Sequence, residues 1–259
     1  MRILILLSFI ITVGLTACNN NQKAKSIIRG TIDYIDNIKT VQYDQILVRG
    51  NTGSETENIT TSRSFYFERL SADSIIGAKA HIDFFDGNIV FHEDIYNGKK
   101  LIRKHNADST AQVYDLERYP ALKKQHFWGK TTPWVIQYML QYALDHERNY
   151  RFMLGIDTII NQKSCYTVKT ILNGMALMPG YNEFEIDDNR VETMVLFVDK
   201  ELLYPQAMRL ETFFKHNTDL VYFTDHRFGN IRLNPELDSS LFSVSDTLLK
   251  GFEVKMLQP

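Results

Sequence analysis

From residue 41 to residue 114, apolar side chains recur at every second position, in short runs cut by turn sequences. Period two is the repeat of a strand with one buried face, and a helix cannot satisfy it. Val41-Gln42-Tyr43-Asp44-Gln45-Ile46-Leu47-Val48 opens the series, and a polar loop fills residues 50–62. Ser64-Phe65-Tyr66-Phe67-Glu68 follows, then Ala78-Lys79-Ala80-His81-Ile82-Asp83-Phe84-Phe85. Asp86-Gly87-Asn88 leads straight into Ile89-Val90-Phe91-His92, a strong hairpin signal. A second turn at Asn97-Gly98-Lys99-Lys100 introduces Leu101-Ile102-Arg103, and Ala111-Gln112-Val113-Tyr114 is a further short strand. The segment reads as an antiparallel meander.

Two stretches break the alternation. Ile27, Ile28, Ile32, Ile35 and Ile38 stand at helical spacing among Lys, Arg and Asp, which predicts an amphipathic helix from about Lys25 to Ile38. Mid-chain, Thr131-Thr132-Pro133-Trp134 sets a threonine cap and a first-turn proline. Trp134, Val135, Tyr138, Met139 and Tyr142 then share one face of the helix that follows. Strands resume near 150–156, 164–172, 192–200, 205–212 and 220–224, with no repeat of fixed period and no break in composition. With 44% hydrophobic residues and 23% charged, the chain is too apolar for disorder and too charged for a polytopic membrane protein. A net charge of −2 supplies no field to steer it to nucleic acid. The expectation is one mainly β domain of the α+β class.

The first eighteen residues carry an address. Met1-Arg2 precedes an apolar run, Ile3 to Leu15, which is shorter than the roughly 20 residues needed to span a bilayer. It has the length of a secretory signal core. Leu15-Thr16-Ala17-Cys18 resembles the lipobox of bacterial lipoproteins. That resemblance implies a signal peptide over 1–17, a lipidated Cys18, a polar tether over 18–24 and a domain over 25–259. Two or more acyl chains anchor a protein firmly where one does not. Asn19 stands where such proteins carry Asp when they are retained at the inner membrane, so the resemblance implies an outer-membrane, periplasm-facing position. Cys165, the other cysteine, has no partner for an internal disulfide once Cys18 is acylated, and it reads as a buried structural thiol.

Two segments of the second half carry a further resemblance. Leu196-Phe197-Val198-Asp199-Lys200 followed by Leu203-Tyr204-Pro205 is similar to the strand, Asp-Lys turn, aromatic-Pro, strand segment of the LolA/LolB-like superfamily of periplasmic carriers. Asn234-Pro235-Glu236-Leu237-Asp238-Ser239-Ser240-Leu241-Phe242 resembles that group's closing helical turn before a last strand. The resemblance implies a curved open antiparallel sheet, a half-barrel, whose concave face is covered by the N-terminal and mid-chain helices. In the known carriers the hollow holds acyl chains. Candidates to line such a hollow are Phe65, Phe67, Ile82, Phe84, Ile89 and Phe91 on the strands, with Trp134, Tyr138 and Met139 on the helix. The same residues would equally make a packed core.

Chemistry-bearing motifs are missing. The seven histidines stand singly, and no HExxH, CxxC, GxSxG or phosphate loop occurs. His81 and Asp83 share a strand face, and His92 lies beside Glu93 and Asp94, but scattered strand histidines are far commoner than metal ligands. The expectation is a non-enzymatic lipoprotein with no cofactor and no metal. Its partners would be a membrane through the anchor, and a lipid, an acyl chain or another lipoprotein. The alternative is a structural or interaction lipoprotein with a filled core.

Overall fold

The computed structural model describes residues 20–51, 59–127, 132–172, 175–178, 182–186, 189–216, 219–245 and 247–257. Cys18 and the signal segment lie outside the described residues, as does the start of the stretch read as a tether. Helix α1 covers 20–36, so it reaches further toward the N-terminus than the isoleucine spacing suggested. Ala24 carries the buried stripe one turn back and is fully enclosed. The Asn20 side chain accepts the Leu154 backbone N–H at 2.6 Å, and Lys25 pairs with Glu147 at 2.6 Å.

The meander is present as β1 (Thr40–Asn51), β2 (Ile59–Arg69), β3 (Ala78–Asp86), β4 (Ile89–Tyr96), β5 (Lys100–His105) and β6 (Thr110–Asp115). Two helices follow, α2 (Ala121–Phe127) and α3 (Pro133–Asp145). The Thr132 hydroxyl caps α3 by accepting the Val135 N–H at 3.1 Å, and Pro133 occupies the first turn, where its missing donor costs nothing. The second half supplies β7 (Tyr150–Leu154), β8 (Thr158–Ile160), β9 (Lys163–Leu172), β10 (Met175–Met178), β11 (Asn182–Glu185), β12 (Arg190–Asp199), β13 (Pro205–Phe214), β14 (Leu220–Leu233) and β15 (Glu253–Leu257). Strands β10 and β11 pair only with each other.

All other strands join one sheet in the order β15-β6-β5-β4-β3-β2-β1-β14-β13-β12-β9-β7, with β8 on β9. The two end strands do not pair, so the sheet stays open. Every neighbour pair is antiparallel except β15 on β6. Register shifts at Gln42/Asp44, Phe84/Phe85, Phe197/Val198 and Thr212/Phe213 add local twist and bend, which is how so wide a sheet curves.

The turn after β12 is built by its own residues. The Asp199 carboxylate accepts the N–H of Glu201 at 2.8 Å and of Leu202 at 3.3 Å, and Leu203 takes a left-handed φ of 54°. Tyr204 is then buried as β13 begins. The closing helical turn is present at Ser239–Phe242.

One core runs under both helices. It takes Ile27, Ile28 and Ile35 from α1, Trp134, Val135, Met139 and Leu140 from α3, and the inward rows of the sheet. Where they lie on the sheet, the helices therefore fill its hollow.

Candidate functional site

Cross-strand register sorts the inward face of β1–β6 into rows. The first is Val41, Phe67, Ala80, Tyr96, Leu101 and Tyr114, each directly opposite the next. The second is Tyr43, Phe65, Ile82, Asp94, Arg103 and Gln112, and the third is Gln45, Arg63, Phe84, His92, His105 and Thr110. Moving up the sheet, the face changes from apolar to mixed to polar.

The first row is solid. Phe67, Ala80, Tyr96 and Leu101 are at 0% exposure, and so are Phe65 and Ile82 in the second row. A side chain lining a space that admits water keeps some exposed surface; these keep none. Phe65 lies stacked on Tyr43 at 5.0 Å and on Phe67 at 5.4 Å, and Phe228 closes the group edge-on to Tyr43 at 5.2 Å. Of the helix candidates, Trp134 and Met139 are buried in the same core, whereas Tyr138 is 46% exposed. Tyr138 stands over an open surface groove of about 310 Å³ between α1, α3 and the 70–77 loop.

Two of the expected lining residues are elsewhere. Ile89 is 72% exposed at the tip of the hairpin and Phe91 is 41% exposed, so neither lines an enclosed space. The hairpin pairs Asp86 with Ile89 and Phe85 with Val90, but Phe84 then pairs with His92. Phe91 is the extra residue of a bulge. A slip of one residue sends every later side chain to the opposite face, so His92, Asp94 and Tyr96 turn inward. Phe84 keeps its inward place and is half-buried against the core.

The polar rows hold residues that the search for an apolar lining passed over. Asp94, at 1% side-chain exposure, accepts from Arg103 at 2.9 and 3.2 Å and from His92 Nε2 at 2.9 Å. Burial, then the neighbouring His92, pushes His105 below its usual value. Gln45 is fully buried and its amide meets His226 Nδ1 at 3.2 Å. Burial, reinforced by Arg63 and Arg49, drives His226 down to about 3, so its imidazole is neutral. The Arg63 guanidinium lies over the Phe84 ring, 4.9 Å from its centre. Burial, then Arg49, lowers Arg63 to about 10, which still leaves it charged at neutral pH. Parity alone marks these positions: Gln45 is in phase with Val41 and Tyr43, and Arg63 with Phe65 and Phe67.

On the outward face, His81, Asp83 and Glu93 lie within 4.8 Å of one another, near enough to share a cation. Both ring nitrogens of His81 face acceptors, an arrangement that favours its protonated form. His81 Nδ1 donates to the Leu241 carbonyl at 3.0 Å, and Nε2 faces Asp83 at 2.9 Å and Glu93 at 3.9 Å. Lys104 and Asn106 occupy the rest of Glu93. Burial opposes the charge on His81, but Asp83, the Leu241 carbonyl and Glu93 outweigh it and raise its pKa. A raised folded-state value contributes stability below the ordinary histidine range, near 6.5, and that stability fades as pH rises through the folded value. Melting temperature should therefore fall on going from about pH 6 to above neutrality, and His81→Gln should flatten that part of the profile. An unchanged slope in the variant would remove His81 as its source.

No family model matches the chain, and no curated protein does. Among solved structures, the lipoprotein LppX of Mycobacterium tuberculosis is similar at 10% identity and a TM-score of 0.48, over 84% of this chain and 98% of that one. A LolA superfamily protein of Nitrosomonas europaea aligns at 10% identity and 0.40, over 86% and 98%. A putative outer membrane lipoprotein-sorting protein domain of Vibrio parahaemolyticus aligns at 13% and 0.35, over 89% and 100%.

Proposed function

We propose that this protein is a cell-envelope lipoprotein, anchored through Cys18 to the outer membrane and facing the periplasm, that binds a hydrophobic ligand such as an acyl chain. The reading is one of binding, not catalysis. One observation carries it: the inward face extends beyond the footprint of its helices. Where the first row is fully enclosed, Arg63, Phe84 and His105 in the third are half-buried, so the face opens at that end. A second reading, an interaction lipoprotein with a filled core, is favoured by the complete burial of Phe65, Phe67 and Ile82.

Comparing wild type with Cys18→Ala tests the anchor. Wild type should partition with membranes and carry acyl mass on Cys18, and the variant should do neither. The unacylated variant, purified without detergent, then tests the ligand. Lipid recovered by mass spectrometry in stoichiometric amount, and saturable uptake of the neutral probe N-phenyl-1-naphthylamine, are the expected results. No lipid and no uptake would leave the filled-core reading.

A further inference from the structure

We propose that the bound ligand is an anionic amphiphile whose carboxylate or phosphate head is received by Arg63, above the Gln45–His226 pair; this rests on the ligand-binding reading above. The geometry of the third row carries it. Arg63 is inward-facing and half-buried, and its Nε has no hydrogen-bond partner among the described residues. Its immediate opposites are Gln45 and Phe84, neither of which offers a negative charge. The buried carboxylate of this face, Asp94, is taken up by Arg103 and His92.

A guanidinium partly removed from water is costly to leave without a hydrogen-bonded counter-charge, and Asp94 favours the charge on Arg63 without bonding to it. The floor beneath it is incomplete in the same way. Gln45 is at 0% exposure, its amide nitrogen is used by His226, and its Oε1 has no partner among the described residues. Gln45 and Arg63 are direct cross-strand neighbours, so the two unsatisfied groups belong to one place. The neutral imidazole of His226 adds polarity without a competing anion. The Phe84 ring lies 4.9 Å from the guanidinium carbon and, being apolar, brings no acceptor to compete with a planar or tetrahedral anion. The ring also gives an aliphatic chain an apolar wall next to the head.

The test uses the unacylated Cys18→Ala chain loaded with N-phenyl-1-naphthylamine. Oleate, oleoyl lysophosphatidate and oleyl alcohol are titrated as displacers. At least one of the two anions should displace the probe at about tenfold lower concentration than the alcohol. The stronger anion identifies the head as carboxylate or phosphate. Adding Arg63→Gln should abolish the preference, and Arg63→Lys should retain part of it.

Arg63→Gln should also melt at or above the parent, since it removes a half-buried charge whose Nε has no hydrogen-bond partner among the described residues. A melt well below the parent would make Arg63 a structural residue and overturn the proposal. Equal displacement by anions and alcohol, with Arg63→Gln indifferent, would overturn it while leaving hydrophobic binding intact. Failure of the neutral probe to bind at all would remove both.

Discussion

Truncating Phe67 to alanine should cost the fold about 3–5 kcal/mol, on the order of 10 °C in melting temperature, while leaving uptake of a hydrophobic probe unchanged. Phe67 is fully buried, stacked on Phe65 and 6.0 Å from Tyr43, with Ala80 opposite it on β3. Nothing in that surround can collapse into the vacated volume without moving a strand, so transfer and cavity costs both apply. Trp134→Ala should behave alike. Its side chain is enclosed, with its Cβ against Gly77, whose φ of +74° admits little but glycine. Phe91→Ser is the control: at 41% exposure and with no cross-strand partner on β3, it should change stability by no more than about 0.5 kcal/mol. A near-native melt of Phe67→Ala with weakened uptake would instead return Phe67 to the wall of a ligand space.

The contrast between Phe67 and Phe91 shows where sequence reading reaches its limit. Alternation identified β1–β6, the hairpin at Asp86–Ile89 and the inward parity of Phe65, Phe67, Ile82 and Phe84, because each depends on neighbours one or two residues away. A two-residue turn extrapolates to Phe84 opposite Phe91, and that would have placed Phe91 inward, whereas Ile89 keeps its place opposite Asp86 and is exposed at the hairpin tip. The bulge that overrides the extrapolation is fixed by tertiary contacts, among them the Asn106 N–H donating to the Phe91 carbonyl at 2.9 Å. No local signal announces it.

The N-terminal boundary of α1 was obscured for a similar reason. Asn20 and Lys25 are polar, and their places are set by Leu154 and Glu147, more than a hundred residues away. The polar rows were legible in parity but not in meaning. Gln45 shares the phase of Val41 and Tyr43, and Arg63 that of Phe65 and Phe67, but nothing local says what a polar residue in that phase meets. The covering helices turn the expected hollow into core, since filling depends on where α1 and α3 come to rest.

Asp94→Ala should be the most disruptive change of a charged residue, at about 3–5 kcal/mol. The carboxylate is 1% exposed and is the shared partner of Arg103 and His92, whose side chains are 23% and 12% exposed. Deleting it leaves the Arg103 guanidinium half-buried without its carboxylate, and removes the charge that favours the ionised form of Arg63. The loss is that of an orphaned charge, not the net worth of the ion pair, and a second substitution separates the two. Asp94→Leu combined with Arg103→Met removes both charges and should recover most of the stability, because a well-packed apolar pair commonly matches a buried ion pair. If Asp94→Ala alone melts near wild type, water reaches the network and its charges are screened. The change also takes away the negative charge that acts on Arg63 and so makes the inward face more positive. An anionic amphiphile should then bind Asp94→Ala more tightly than the parent protein, and raise its melting temperature by more. Stability lost in the free protein would be returned on binding, which ties the charge arrangement of the second row to the ligand held in the third.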